Sequence, residues 1–119
     1  MSENKQIVSR YMQAFSNYDH PGVLECLTED VEWIVPGVFH RVGKEEFDDE
    51  IENNGGGFIG TPTVTITRLI EEGSVVVAEG RVEHEKKAGG TFKLDFCDIF
   101  EIQDAKIRRL TSYLAVLES

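Results

Sequence analysis

From Thr91 to Leu117 the chain reads TFKLDFCDIFEIQDAKIRRLTSYLAVL, two runs of alternating side chains separated by Gln103-Asp104-Ala105. In the first run Leu94, Phe96, Asp98 and Phe100 share one face of a strand, and Asp95, Cys97, Ile99 and Glu101 share the other, because successive strand side chains point to opposite sides. In the second, Leu110, Ser112 and Leu114 alternate with Thr111 and Tyr113. So short a connection cannot hold the crossover that parallel neighbours need, so the pattern predicts an antiparallel pair, Thr91 to Ile102 and Lys106 to Leu117. Asp98 then lies between two phenylalanines on the apolar face.

Working back toward the amino terminus, Thr61 to Ile70 is rich in β-branched residues and Ser74 to Glu85 follows it, with turns at Glu71-Glu72-Gly73 and Lys87-Ala88-Gly89-Gly90. Four long strands with short links predict an antiparallel meander. Asp30 to Pro36 alternates Val31, Trp33 and Val35 with Glu32 and Ile34, which predicts one further strand ended by Pro36-Gly37. Ile7, Val8, Tyr11, Met12 and Phe15 recur at helical spacing from Glu3 to Asn17. Pro21 suits the first turn of a second helix, capped by Asp19 or His20, with Val23, Leu24 and Leu27 on its apolar side. From Gly43 the run GKEEFDDEIENN sets Phe47 and Ile51 on a narrow apolar stripe, with Glu45, Glu46, Asp48, Asp49, Glu50 and Glu52 as a solvated face. Gly55, Gly56 and Gly57 break the chain after it.

The predicted order is ααβαββββ in a single domain over residues 1–119, an α+β fold in which three N-terminal helices and a curved, antiparallel-rich sheet form a cone around a pocket. The opposite sheet face carries Thr63, Thr65, Cys97, Ile99, Thr111 and Tyr113, a mixed apolar surface that favours a homodimer.

Charge and composition narrow the partners. The 119 residues carry 22 acidic and 12 basic side chains, a net charge of −10, which repels nucleic acid over most of the surface. The densest basic run, Lys106, Arg108 and Arg109, is too short to reverse this. Cys26 and Cys97 lack CxxC spacing and read as buried thiols of a reducing compartment. The opening MSENKQIVSRYMQ has no apolar stretch of signal-peptide length, and no run approaches the roughly 20 apolar residues of a membrane span; a cytoplasmic location is expected. His20, His40 and His84 are dispersed, so neither a metal site nor a cofactor is expected. The glycine run lacks the strand-before, helix-after setting of a phosphate loop.

RYMQAF in the first helix, LTEDVEWIVPG leading into the first strand, DFCDIFEIQDAKIRRLTSYL at the end, and the element order together resemble the nuclear transport factor 2-like superfamily, with SnoaL-like and ketosteroid isomerase-like domains the nearest. The resemblance covers nearly the whole chain and implies the cone fold more firmly than any one reaction. Against the isomerase pattern, Tyr11 falls at the oxyanion-binding tyrosine, and Asp98 at a carboxylic acid that stays protonated to donate a second hydrogen bond. The isomerase base is an aspartate directly before a proline, where this chain has Val35 before Pro36. Steroid isomerisation by that route is therefore not expected. A related polyketide-cyclase pattern uses an acid near Asp98 as the acid/base, and that reading survives Val35.

The residues themselves support two readings of the site. Burial between aromatic rings disfavours a carboxylate, so Asp98 is expected to titrate closer to neutrality and to exchange protons; alternatively it accepts a structural hydrogen bond. Tyr11 is either an oxyanion donor or a stripe aromatic satisfied at the core edge. Trp33, with Val35, Phe96, Phe100, Leu110 and Leu114, is expected to wall the pocket or fill it. The resemblance points Leu110, Ser112 and Leu114 inward, so it implies a small polar contact at Ser112, which without a paired histidine is no nucleophile. His40, expected in a loop at the pocket mouth, either replaces the missing base or faces solvent. Two functions follow: an isomerase-, cyclase- or hydro-lyase-like enzyme acting on a small hydrophobic carbonyl compound, or a non-catalytic ligand-binding or dimerisation domain.

Overall fold

A computed structural model of the chain describes residues 2–54 and 56–117. Among the described residues three helices, α1 (Glu3–Ser16), α2 (His20–Glu25) and α3 (Lys44–Asn54), pack on a sheet of six strands. The strands are β1 (Leu27–Val35), β2 (Phe39–Val42), β3 (Phe58–Glu72), β4 (Val75–Lys86), β5 (Thr91–Gln103) and β6 (Lys106–Leu117). Gly55 of the expected glycine break lies outside the described residues, and Gly57 takes φ +83°.

Each helix starts where its side chains permit. Ser2 Oγ accepts from the Lys5 amide at 3.1 Å, and Asp19 Oδ1 accepts from the Gly22 amide at 3.1 Å; both satisfy amide donors that a first helical turn leaves open. Asp19, rather than His20, is the cap of α2.

The sheet order is β2-β1-β6-β5-β4-β3. Four of its pairings are antiparallel, while β1 runs parallel to β6, with Trp33 opposite Leu110 and Ile34 opposite Thr111. The α+β cone is as expected, but the order gains a strand: Pro36-Gly37 ends β1, as expected, and is also the turn of a hairpin into β2. Gly37 takes φ +79° and Phe39 pairs back on Val35. A four-residue strand is too short to show a periodicity. At the other end of the chain, Asp104 and Ala105 take φ 52° and 61° between the paired Gln103 and Lys106, the two-residue turn whose twist suits a tight hairpin.

The sheet curls where side chains allow it. A Cβ on Gly80 would lie 2.2 Å from the Thr65 carbonyl oxygen and 2.7 Å from the Phe96 ring, so only glycine lets β3 bend this far over β4. Register shifts along β3, between Ile59 and Thr63 and between Ile66 and Arg68, add curvature. Ile7, Val8, Tyr11 and Met12 of α1 and Phe47 and Ile51 of α3 join Val31, Phe100, Ile107 and Leu110 in one apolar cluster.

Two expectations about exposure are corrected. The acidic face of α3 is not solvated throughout: Glu50 is buried, and Arg41 Nε donates to its Oε1 at 3.0 Å, because β2 folds back over α3. Cys97 is only half-buried, on the outer sheet face opposite Tyr113, while Cys26 is buried as expected. On that outer face Tyr113 is 52% exposed and Ile70 46%. Arg68–Glu79, Arg81–Asp95, Arg108–Glu101 and Arg109–Glu32 pairs stand around it.

Candidate functional site

Between α1, β1 and the inner faces of β3 to β6 lies a cavity of about 340 Å³. Eight of the residues singled out from sequence line it: Tyr11, Trp33, Val35, Phe96, Asp98, Leu110, Ser112 and Leu114. Period two along β5 and β6 brings Asp98 and Ser112 inward together, directly opposite one another. Leu114 and Val116 are 48% and 68% exposed and mark the opening; Asp98, Ser112, Leu110 and Trp33 are buried at the inner end.

Two expected lining residues are elsewhere. His40 sits on β2 rather than in a loop, and its Nε2 meets Glu32 Oε1 at 2.9 Å on the outside of the sheet. Pairing of Phe39 with Val35 sends Phe39, not His40, to the cavity, because neighbours on a strand face opposite ways. Phe100 is fully buried and packs edge-on against Tyr11, centroids 5.4 Å apart. It lies beneath the cavity, outside its lining.

The inner end holds a polar relay in apolar walls. Trp33 stacks on Phe47, with centroids 4.5 Å apart and planes 26° apart, which fixes its indole. Its Nε1 donates to Ser112 Oγ at 3.2 Å. The Ser112 hydroxyl in turn has its own proton to give to Asp98, a bond that pulls the Asp98 pKa down. Burial outweighs it, and the Asp98 carboxyl is pushed up to about 7. Asp98 Oδ1 is buried and has no hydrogen-bond partner among the described residues.

Tyr11 reaches the same end from α1, wedged between Phe15, Phe47 and Phe100. Burial, then the nearby Asp98 charge, raises its pKa well above the usual phenol value, so the hydroxyl keeps its proton. It does not satisfy Asp98 Oδ1, which stays open. An acid able to hold or release a proton near neutral pH thus sits near a neutral phenol donor in a largely apolar cavity.

The sequence reading passed over several wall residues: Phe15, Tyr18, Phe58, Val64, Val82, His84 and Phe92. His84 is buried on the inner face of β4, two places along from Val82; its parity with Ala78, Gly80 and Val82 is the signal in the sequence. Among the described residues no group of three or more His, Cys, Asp or Glu side chains is arranged to hold a metal ion. No helix there is long and apolar enough to cross a membrane.

Comparison with known proteins bears on the fold. The chain is similar to a nuclear transport factor 2-like protein of unknown function from Burkholderia pseudomallei, with 23% identity, 97% of this chain and 92% of that one covered, and a TM-score of 0.85. It is also similar to an epoxide hydrolase of the LEH-like type from M. tuberculosis, at 21% identity with 95% and 83% coverage and a TM-score of 0.81. The structure of TerC co-crystallised with polyporic acid matches at 24% identity, 93% and 90% coverage and a TM-score of 0.83. No curated protein sequence matches significantly. A family model for the SnoaL-like domain matches residues 8–110, and with that span added to the cone and its cavity, this chain belongs to the SnoaL-like domain family.

Proposed function

We propose that the protein is a SnoaL-like enzyme that moves a proton on a small hydrophobic carbonyl compound, with Asp98 as the acid/base and Tyr11 as the oxyanion donor. The observation that carries the reading is Asp98: a carboxyl raised to about 7, with an unpartnered oxygen, on the wall of an apolar cavity. Unpartnered buried acceptors are rare in folded proteins because each one costs about 1–3 kcal/mol. A ligand hydrogen arriving at Oδ1 removes that penalty. In the proposed step the Asp98 carboxylate takes the proton from the carbon next to a ligand carbonyl, the electron pair moves onto the carbonyl oxygen, and the Tyr11 hydroxyl stabilises the enolate. In a β,γ-unsaturated ligand the proton then returns to the γ carbon as the electron pair moves back from oxygen and the double bond shifts into conjugation, so no net charge is transferred. Trp33 and Ser112 hold the carboxyl in place, and Val35, Phe96, Leu110 and Leu114 exclude water.

The experiment is turnover of β,γ-unsaturated aryl ketones by the wild type, Asp98→Asn and Tyr11→Phe. Unchanged turnover in both variants overturns the reading. A second reading, a non-catalytic ligand-binding domain, is favoured by Val35: where the resembling isomerases hold their base, this cavity has an apolar wall. Under it, ketones bind and quench Trp33 without being converted.

Further parts of the proposal concern assembly and setting. A second copy of the chain is the partner proposed for the outer sheet face, whose paired charges of both signs surround threonines, Cys97, Ile99 and Tyr113; sedimentation of the wild type and Tyr113→Glu tests it. The free thiols favour the cytoplasm, the net charge of −10 disfavours nucleic acid, and the chain is read as one domain.

A further inference from the structure

The cavity has a second polar end that the proton transfer does not use. His84 is 6% exposed and lines the cavity, six residues along β4 from Ala78, the partner of Asp98. At about 3.3 Å per residue, roughly 20 Å of strand separates the two levels, so one small functional group cannot serve both. The His84 ring lies flat on Phe58, centroids 4.4 Å and planes 7° apart. Phe92 leans on Phe58 at 5.5 Å, and Tyr18 stands 6.3 Å from the imidazole.

The hydrogen bonding of His84 sets what this end can recognise. Its Nε2 lies 2.9 Å from the Gly60 carbonyl oxygen; a carbonyl only accepts, so Nε2 carries the proton. In the neutral ring Nδ1 then presents a lone pair alone, which the bond to Gly60 leaves unused. The surrounding walls are flat and aromatic, and the described lining contains no Lys, Arg or Glu to meet a charged group. A purely apolar ligand would cover an acceptor without satisfying it. A ring carrying a hydroxyl would satisfy both the walls and the nitrogen.

We propose that the outer end of the cavity is a recognition subsite for a planar ring bearing a hydrogen-bond donor, such as a phenol, which packs against Tyr18, Phe58 and Phe92 and donates to Nδ1 of His84. The inference rests on the reading of the cavity as a ligand site and deepens it: the substrate is an elongated aryl carbonyl compound, held at its far ring by His84 while Asp98 meets the reacting end.

Chalcone and 4-hydroxychalcone, which differ by one hydroxyl, are titrated into the protein by calorimetry, which reads binding at either end of the cavity. The wild type is expected to bind 4-hydroxychalcone about fivefold more tightly, the worth of one neutral hydrogen bond. In His84→Phe the preference disappears while chalcone still binds; in Phe92→Ala both bind more weakly. A second measurement needs no His84 variant: with ¹⁵N-histidine, the unprotonated Nδ1 resonance of His84, assigned by elimination using His20→Gln and His40→Gln, shifts on adding 4-hydroxychalcone and not chalcone. Equal affinity of the two compounds for the wild type, a preference that survives His84→Phe, or a stationary Nδ1 resonance overturns the subsite alone. Absence of any binding by either compound overturns the ligand-site reading along with it.

Discussion

Asp95 and Asp98 stand three residues apart on β5 and are driven in opposite directions. Asp95 faces outward, where the Arg81 guanidinium, with Nε 2.8 Å from Oδ1, holds its carboxyl below the usual range. Asp98 faces inward with no cation beside it, and burial lifts it to about 7. The difference lies in the pleat: an odd offset in sequence changes the face, and the face decides whether water and a counter-charge are present. One aspartate serves the surface as part of an ion pair. The other is destabilised by its setting, and such strain concentrates where chemistry is done.

The largest expected effect separates the two sites by activity. Asp98→Asn should lower kcat on an enolisable ketone by about 10²- to 10⁴-fold, the range for losing a general acid/base, and Asp95→Asn should leave it unchanged; steady-state kinetics on both variants checks this. A stability measurement sharpens the contrast. Because the folded pKa of Asp98 exceeds its unfolded one, the folded state binds the proton more tightly between about pH 4 and 7, and stability falls as pH rises across that window. Denaturant melts should therefore find Asp98→Asn more stable than the wild type at pH 8, by at most about 4 kcal/mol for a shift near three pH units, with the gap closing near pH 4. For Asp95 the sign reverses: its stabilising pair is present at neutral pH and fades as pH falls through its lowered pKa, an effect kept small by solvent.

Smaller effects probe the surroundings of the pair. As a base, Asp98 should make kcat/KM rise with pH through about 7, and Ser112→Ala, by removing the bond that lowers its pKa, should move that midpoint upward in a pH–rate profile. On the outer face, Tyr113→Glu should convert a dimer to monomer by analytical ultracentrifugation without changing kcat per chain.

How much of this was legible depended on element length. β5 and β6 are long enough for period two to sort their faces, which put Asp98 and Phe96 on one wall; the family resemblance turned Ser112 inward to meet them and brought Tyr11 from the apolar stripe of α1. β2 spans four residues, Phe39 to Val42, and no pattern distinguishes four residues from a loop; with it went the positions of His40 and Phe39 and the burial of Glu50. Phe100 shares a face with Asp98, yet that face passes from cavity wall to packed core along β5, and α1 sets the boundary from outside the strand. His84 was missed for a different reason. Its strand face was readable, but whether a histidine there meets solvent or a stack with Phe58 depends on β3 curling across it.

That curl comes down to a hydrogen atom at position 80. Were a methyl group there, the Thr65 carbonyl and the Phe96 ring would both have to retreat, and the cone would open into a flatter saddle. The bore of the chamber is thus set by the smallest side chain in its wall, and a lineage could retune the girth of the molecule it admits with one codon, without replacing the acid.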